Sequence, residues 1–231
     1  MPAQPVTEHV YCVQNEDVKI FIIEQPDGLT VIDAGFPGTM ALIDEAVRSL
    51  GRDPEDIRDI LVTHCHPDHA GGLAEIASAT GARVWMHPAD AEMVRSGTAF
   101  RPYQVSPGAE NRAFVDEVIS HSPQTYQPAS VDEEVLPGDE IPVAGGITAL
   151  GALGHTVGHL VFLWSGDGGV LFLGDAAKNV AGLVPCPIYE DLAQGLESLR
   201  GLSGHDFEVA CFAHGDPILE DACQVFRQRW T

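Results

Sequence analysis

The sequence predicts an α/β protein in which two mixed β-sheets pack face to face and helices cover their outer surfaces, an αββα sandwich. Apolar, β-branched segments with strand character are followed by segments whose apolar residues recur at helical spacing, and this order occurs twice along the chain. The chain has 231 residues, of which 45% are hydrophobic, so it can bury the core of one large domain. We therefore predict a single domain that spans residues 1–231.

The first half of the chain starts with a predicted hairpin. Residues 18–25 and 29–33 are apolar and flank Pro26-Asp27-Gly28, a sequence typical of turns. Residues 38–51 carry apolar side chains at helical spacing and end at Gly51, a common helix terminator. The same reasoning predicts a strand at 59–63, a helix at 72–80, a strand at 83–87 and a short helix at 88–94.

The second half repeats this order. Strands are predicted at 145–150, 160–164, 169–173 and 208–212, and helices at 192–199 and 219–230. Between the halves, prolines interrupt any regular pattern in residues 95–130. We predict that this segment is an insertion over the active site, and its aromatic residues either form an apolar wall or pack on the core: Phe100, Tyr103, Phe114 and Tyr126.

A cluster of metal-ligand residue types lies between the predicted strand at 59–63 and the helix at 72–80. It has three histidines and one aspartate within six residues, in the sequence His64-Cys65-His66-Pro67-Asp68-His69. Imidazole and carboxylate groups are ligands of borderline divalent metals. A strand-to-helix turn of this kind can direct His64 and His66 toward one metal ion, and Asp68 and His69 toward a second.

One loop cannot complete two coordination spheres, so further ligands are expected at the ends of other strands. Three candidates follow predicted strands: His155, Asp175 and His214. Taken singly, each of them would be interpreted as a cap or a solvated loop residue, but together with the cluster at 64–69 they favour a metal centre. A purely structural zinc site is disfavoured because such sites are usually four-coordinate and rich in Cys.

These motifs, in this order, resemble those of the metallo-β-lactamase superfamily, in its glyoxalase II-like and lactonase-like hydrolytic branch. Val31-Ile32-Asp33-Ala34-Gly35 corresponds to the first family motif and residues 64–69 to the second. The third, fourth and fifth motifs correspond to His155, Asp175 and His214. The resemblance implies the αββα metallo-β-lactamase fold and a centre of two divalent metal ions.

The resemblance also implies which residues bind these ions. One ion is assigned to His64, His66 and His155, the other to Asp68, His69 and His214, and Asp175 bridges them. Asp33 is implied to support the ligand loop through hydrogen bonds without contacting a metal. We expect His159 to support a ligand or to form a hydrogen bond at the start of a strand.

Two divalent ions with imidazole and carboxylate ligands can hold a bridging water, lower its pKa toward neutrality and polarise a carbonyl group. We therefore expect a binuclear metal-dependent hydrolase that acts on a thioester, lactone or related ester through a metal-bridging hydroxide. Asp68 is expected to relay a proton to the leaving group. Zinc is the expected metal, with iron and manganese as alternatives.

The bridging position of Asp175 favours the glyoxalase II-like and lactonase-like subgroups over true β-lactamases, which usually lack that carboxylate. The alternatives are a β-lactamase-like or phosphodiester hydrolase and a mononuclear iron persulfide dioxygenase of the same fold. Lactonases of this kind commonly have a tyrosine three residues after the bridging aspartate, where this chain has Lys178. Glyoxalase II enzymes carry an additional helical region, whereas this sequence continues for about one helix after His214.

Lys178 and Tyr103 are the candidates for contact with the substrate.

The charge and composition of the chain disfavour several partners. A net charge of -22, with Lys19 and Lys178 as the only lysines, would repel nucleic acids. No apolar run approaches the roughly 18 residues of a membrane span, so we expect no membrane partner. The sequence shows no secretory signal, and its five cysteines lack paired spacing, which predicts reduced thiols and a cytoplasmic location. We expect a small-molecule substrate.

Overall fold

The structure is a computed structural model that describes residues 2–230, so the two terminal residues of the predicted domain lie outside the described part. Within this range the strands are β1 (Gln4–Pro5), β2 (Val10–Asn15), β3 (Val18–Gln25), β4 (Gly28–Ile32), β5 (Ile57–Leu61), β6 (Arg83–Met86), β7 (Gln104–Val105), β8 (Glu133–Glu134), β9 (Glu140–Ile141), β10 (Ile147–Gly151), β11 (Leu160–Trp164), β12 (Val170–Phe172), β13 (Ala177–Asn179), β14 (Leu183–Pro185), β15 (Ile188–Tyr189) and β16 (Val209–Cys211).

The α-helices of the described residues are α1 (Met40–Ser49), α2 (Pro67–Ala70), α3 (Leu73–Thr80), α4 (Pro88–Ser96), α5 (Ala109–Glu117), α6 (Leu192–Leu202) and α7 (Ala222–Trp230). Single 3₁₀ turns occur at Pro54–Asp56 and Ile119–His121. None of the helices between residues 2 and 230 combines the length and apolar character needed to cross a lipid bilayer.

Two large sheets form the centre of the molecule. The first has the strand order β1-β2-β3-β4-β5-β6-β8, antiparallel up to β4 and parallel from β4 onward. The second has the order β16-β12-β11-β10-β9, in which only the β12–β16 pair is parallel. Both sheets are therefore mixed, as predicted. The pairs β13–β14 and β7–β15 form two small sheets.

The large sheets pack face to face through alternate residues of their strands. In β3, Phe21 and Ile23 belong to the apolar cluster between the sheets, and the rings of Phe21 and Phe172 lie 5.6 Å apart. The alternate residues Ile20 and Ile22 face the opposite side of the sheet, into the apolar cluster under α1, α3 and α4. A third cluster lies between the second sheet and the helices α6 and α7. This layering confirms the predicted αββα sandwich.

The loops that follow several strands meet at one edge of the sandwich. The supporting residue Asp33 follows β4, and the candidate ligands of residues 64–69 follow β5. The other candidate ligands, His155, Asp175 and His214, follow β10, β12 and β16 in that order. The segment 64–69, which we predicted as a turn, contains the short helix α2, because Pro67 occupies the first helical position, where its missing N–H has no cost. The fold thus brings residues that are distant in sequence to one place.

Candidate metal centre

Three histidine side chains converge beyond the ends of β5 and β10. The Nε2 atoms of His64 and His155 each lie 3.0 Å from Nδ1 of His66. All three side chains are buried. Burial disfavours the charged imidazole and is the main cause that lowers the pKa of all three histidines below 6.5. For His66 the pKa falls to about 3. Three neutral imidazoles this close together could hold one divalent metal ion.

A second group of ligand atoms lies beside the first and comprises Asp68, His69, Asp175 and His214. Nε2 of His214 is 3.3 Å from Oδ2 of Asp68 and 3.4 Å from Oδ1 of Asp175. Nε2 of His69 is 3.6 and 3.5 Å from the same two oxygens. Helix α2 carries Asp68 and His69. These four side chains could hold a second divalent ion.

Asp175 lies between the two groups. Its Oδ1 faces His69 and His214, whereas its Oδ2 is 3.5 Å from Nε2 of His155. His159 directly precedes β11. Its Nε2 accepts from the backbone N–H of Asp175 at 3.1 Å, so His159 fixes the backbone at Asp175. One oxygen of the Asp175 carboxylate is thus directed toward each group.

Hydrogen bonds behind the rings fix the orientation of three histidines. Nδ1 of His69 donates to Oδ2 of Asp33 at 2.8 Å. Nδ1 of His155 donates to the carbonyl of Ile188 at 3.0 Å. Nδ1 of His214 donates to the carbonyl of Asp17 at 3.0 Å. Carbonyl and carboxylate oxygens only accept, so Nδ1 of each ring carries a proton and Nε2 faces the centre.

Asp33 connects the end of β4 to the loop that carries the ligand atoms. Its Oδ1 accepts from the backbone N–H of Thr63 at 2.8 Å and from the Thr63 hydroxyl at 2.9 Å. The residue is buried, and its φ of +66° lies in the left-handed region that non-glycine residues rarely adopt. With its bond to His69, Asp33 holds both ends of the segment from Thr63 to His69.

The donor set fits divalent cations. Burial opposes ionisation of the two aspartates, yet the neighbouring histidines lower the pKa of Asp68 to about 2 and that of Asp175 well below 3.8. Burial likewise opposes the charged imidazoles, but these carboxylates raise the pKa of His214 to about 9 and that of His69 well above 6.5. The carboxylates therefore need positive charge beside them.

Two buried atoms in the same place support this fit. Within residues 2–230, Nε2 of His69 and Oδ1 of Asp175 have no hydrogen-bond partner, although both are shielded from solvent. Buried polar atoms are normally paired, because an unpaired one costs free energy. A divalent ion between them would satisfy both atoms.

A cavity of about 720 Å³ opens next to the second group and is lined by Asp68, Asp175 and His214. The segment 95–130 supplies part of its apolar wall through Phe100 and Phe114. The Phe100 ring lies 4.8 Å from the ring of His66. The cavity therefore has candidate metal ligands at one end and an apolar side.

Two aromatic residues of the same segment have other positions. Tyr103 is not among the residues that line the cavity, is 36% exposed and packs against Phe100 with ring centroids 6.3 Å apart. This placement argues against Tyr103 as a substrate contact, because Phe100 occupies the place beside His66. Tyr126 is buried in the core, where its hydroxyl donates to the carbonyl of Cys65 at 2.6 Å.

Charged side chains give the cavity an electrostatic asymmetry. Lys178 of β13 is the one lysine or arginine among the lining residues, and its Nζ lies 5.7 Å from the ring centroid of Phe114. Three exposed carboxylates line the cavity as well: Glu16, Asp17 and Glu117. We call these three residues the acidic rim.

Sequence reasoning missed several residues at the centre. Cys186 is buried, and its sulfur lies within 4.8 Å of ligand atoms of His155 and Asp175. Asp90, Arg101 and Glu190 form a charged network behind the first group. No local pattern distinguishes these three from ordinary surface charges, since each acts through residues that are far away in sequence.

The chain is similar to known proteins over most of its length. Residues 15–214 match the family model described as the metallo-beta-lactamase superfamily. The chain is 29% identical to the uncharacterized protein YobT of Bacillus subtilis (strain 168) over 72% of this chain and 64% of that protein. It is 25% identical to the probable metallo-hydrolase YflN of the same organism, over 84% and 78%. It is also 31% identical to a hydroxyacylglutathione hydrolase of Methylobacillus flagellatus, over 69% and 47%.

The match thus spans less than two thirds of YobT and about half of that hydroxyacylglutathione hydrolase. Among solved structures, metallo-beta-lactamase SMB-1 bound to 2-mercaptoethanesulfonate has a TM-score of 0.76 at 20% identity, covering 100% of this chain and 93% of that one. The Rm3 metallo-beta-lactamase has a TM-score of 0.75 at 23% identity, covering 100% and 91%. At these identities the structural likeness concerns the fold alone.

Proposed function

The chain belongs to the metallo-beta-lactamase superfamily, and from this premise we propose that it is a metal-dependent hydrolase that cleaves a small ester, thioester or lactone with two divalent ions. The observation that carries the proposal is the position of Asp175, which directs one oxygen toward each ligand group beside an apolar cavity. Zinc is the proposed ion, because these nitrogen and oxygen donors suit it, and iron and manganese are the alternatives.

Each side chain of the centre has a role in this reaction. A first ion would be held by His64, His66 and His155 and a second by Asp68, His69 and His214, and Asp175 would contribute an oxygen to each. Ions held in this way supply an acidified water as the nucleophile and a Lewis acid for the carbonyl group. Asp33 and His159 keep the ligand residues in place through hydrogen bonds.

Two side chains of the cavity act on the substrate itself. Asp68 lines the cavity and is placed to accept a proton and deliver it to the leaving group. Lys178 offers a positive charge at the apolar wall, where it would bind an anionic group of the substrate. The apolar wall suits an acyl chain, and the acidic rim repels nucleic acids and other polyanions.

Metal analysis and a hydrolysis screen test the proposal. Protein purified without chelator should contain two metal ions per chain, and its zinc, manganese or iron form should hydrolyse thioesters or lactones faster than β-lactams or phosphodiesters. One iron per chain with oxidation of a persulfide would instead identify a mononuclear dioxygenase. A clear preference for a β-lactam or a phosphodiester would overturn the proposed substrate class.

We also propose one domain over residues 1–231, with 95–130 inserted over the active site, and a cytoplasmic location. The five cysteines, all within residues 2–230, are free thiols, which supports a reducing compartment.

A further inference from the structure

A network of three charged side chains lies behind the first histidine group. Nη1 of Arg101 is 2.9 Å from Oδ1 of Asp90 in α4 and 3.0 Å from Oε1 of Glu190, which follows β15. Nη2 of Arg101 donates to the backbone carbonyl of Ala89. Asp90 is fully buried, and the side chains of Glu190 and Arg101 are 12% and 22% exposed. One guanidinium thus joins two shielded carboxylates from distant segments.

The Asp90 carboxylate holds the loop that carries two histidines of the first group. Its Oδ2 accepts from the backbone N–H of Cys65 at 3.2 Å, between His64 and His66. The same oxygen accepts from the hydroxyl of Thr156 at 2.5 Å. A Cβ atom added to Gly158 would lie 2.8 Å from this carboxylate, so the 155–158 loop approaches it directly.

The Glu190 carboxylate holds the loop that carries the third histidine. Its Oε2 accepts from the backbone N–H of Val157 at 2.8 Å. The backbone N–H of Glu190 donates to the carbonyl of His155 at 3.1 Å. Each carboxylate therefore uses one oxygen for Arg101 and the other for a ligand loop.

We infer that Arg101 is a positioning residue of the first metal group, which fixes the loops of His64–His66 and His155 relative to each other through Asp90 and Glu190. The inference rests on the proposed metal centre. A guanidinium is required because its planar fork reaches two carboxylates and a carbonyl at once, whereas a lysine ammonium is a single point charge. Arg101 also follows Phe100, so the same anchor places that ring against His66.

The test compares Arg101→Lys with the matched variant Arg95→Lys. Arg95 has the same kinds of partners, a carboxylate oxygen of Glu134 at 2.7 Å and the carbonyl of Val131 at 3.0 Å, but it contacts neither ligand loop. Metal-free full-length proteins are titrated with Co²⁺ while the visible absorption spectrum and the dissociation constants are measured. Arg101→Lys should weaken binding of at least one Co²⁺ by about 10- to 100-fold, the range typical for supports of metal ligands, and alter the spectrum.

Arg95→Lys should bind Co²⁺ with the affinity and spectrum of the wild type. Identical behaviour of the two variants would overturn the inference and leave the proposed function intact, whereas a wild type that binds no Co²⁺ would overturn the metal centre itself. If Arg101→Lys does not fold, Glu190→Gln replaces it. This variant keeps an oxygen for the N–H of Val157 but loses the charge that pairs with Arg101, so its Co²⁺ affinity should fall in the same direction. A folded Glu190→Gln protein with wild-type affinity and spectrum would also refute the role.

Discussion

Asp68 has more access to the cavity than the other carboxylate of the proposed centre. Its side chain is 20% exposed, whereas that of Asp175 is 10% exposed. Asp175 is directed toward both ligand groups, while Asp68 lies beside His69 and His214 of the second group. A carboxylate at this edge can hold an ion and also exchange a proton with a bound substrate.

We expect Asp68→Asn to lower the turnover of an alkyl lactone or thioester by at least about a hundredfold, even at saturating metal. Asparagine keeps the shape and one oxygen donor but cannot accept and return a proton. The measurement is kcat with the lactone and with a nitrophenyl ester, whose leaving group needs no proton and should show a smaller loss. Full recovery of lactone turnover by added metal would mean that Asp68 is a ligand only.

An ion pair far from the centre links the segment before β2 to the turn after β11. Nδ1 of His9 donates to Oδ1 of Asp167 at 2.8 Å, and the Thr7 hydroxyl donates to Oδ2 at 2.5 Å. The hydrogen bond to Asp167 raises the pKa of His9 above 6.5. Burial opposes the charge of Asp167, but the hydrogen bonds from Thr7 and His9 lower its pKa below 3.8.

The charge of this pair should stabilise the folded protein only within a pH window. The raised pKa of His9 contributes stability below its unfolded value, and this is lost as the pH rises through the higher folded value. The lowered pKa of Asp167 contributes stability above its unfolded value, and this is lost as the pH falls through the lower folded value. Melting temperatures of metal-free wild type and His9→Gln should therefore differ most between about pH 4 and 6.5. A difference that does not vary with pH would rule out a charge effect.

At the scale of elements, the β13–β14 hairpin sets the position of the loop after β16. The backbone N–H of Asn179 donates to the carbonyl of His214 at 2.9 Å, and that of Asp216 donates to the carbonyl of Asn179 at 3.0 Å. Gly215 lies between them with a φ of +104°, and a Cβ atom added there would be 2.1 Å from the Asn179 carbonyl. The close approach leaves no space for a side chain.

Gly215→Ala should therefore weaken the binding of the second metal ion by displacing His214. Gly182→Ala is the control, because Gly182 lies between β13 and β14 with a φ of +112° and has no atom within 4 Å of an added Cβ. Both variants incur left-handed backbone strain of about 1–2 kcal/mol, but only Gly215→Ala also creates a clash. Calorimetric titration with Zn²⁺ compares them, and equal loss of affinity in both would contradict this role of the hairpin.

The sequence predicts long apolar elements well and short ones poorly. The predicted bounds of the strands at 18–25 and 160–164 match β3 and β11, because continuous apolar runs leave little ambiguity. The six-residue strand β2 is not predicted, because its apolar run covers only Val10 to Val13 and ends at Gln14. The pairs β13–β14 and β7–β15 have strands of two or three residues, which is too short for any periodicity to appear.

The same distinction applies to the candidate site. The ligand residue types form local motifs after strands, so they can be selected from the sequence alone. Their supports act over long distances in sequence: Asp90 is 25 residues from Cys65, and Arg101 is 89 residues from Glu190. Only the fold brings such pairs together, and no local pattern encodes them.

At the scale of the whole molecule, negative charge dominates both the chain and the lining of the cavity. The chain has a net charge of -22, and the acidic rim of Glu16, Asp17 and Glu117 continues this field to the cavity. Lys178 is a single positive charge at the wall. A substrate with several negative charges would be repelled on its approach, whereas one with no charge or a single carboxylate would not.

We therefore expect a neutral N-acetylcysteamine thioester to be hydrolysed with at least about tenfold higher kcat/KM than the coenzyme A thioester of the same acyl chain at low ionic strength. The difference should shrink as salt is raised, because the screening length falls from about 10 Å at 0.1 M to about 3 Å at 1 M.

Neutralising the rim by Glu16→Gln, Asp17→Asn and Glu117→Gln should raise kcat/KM for the coenzyme A thioester and leave kcat/KM for the neutral thioester unchanged. The control removes three exposed charges that do not line the cavity, by Asp27→Asn, Glu55→Gln and Glu92→Gln. If this control accelerates the coenzyme A thioester as much as the rim variant does, the net charge of the chain sets the preference, and the rim has no specific role.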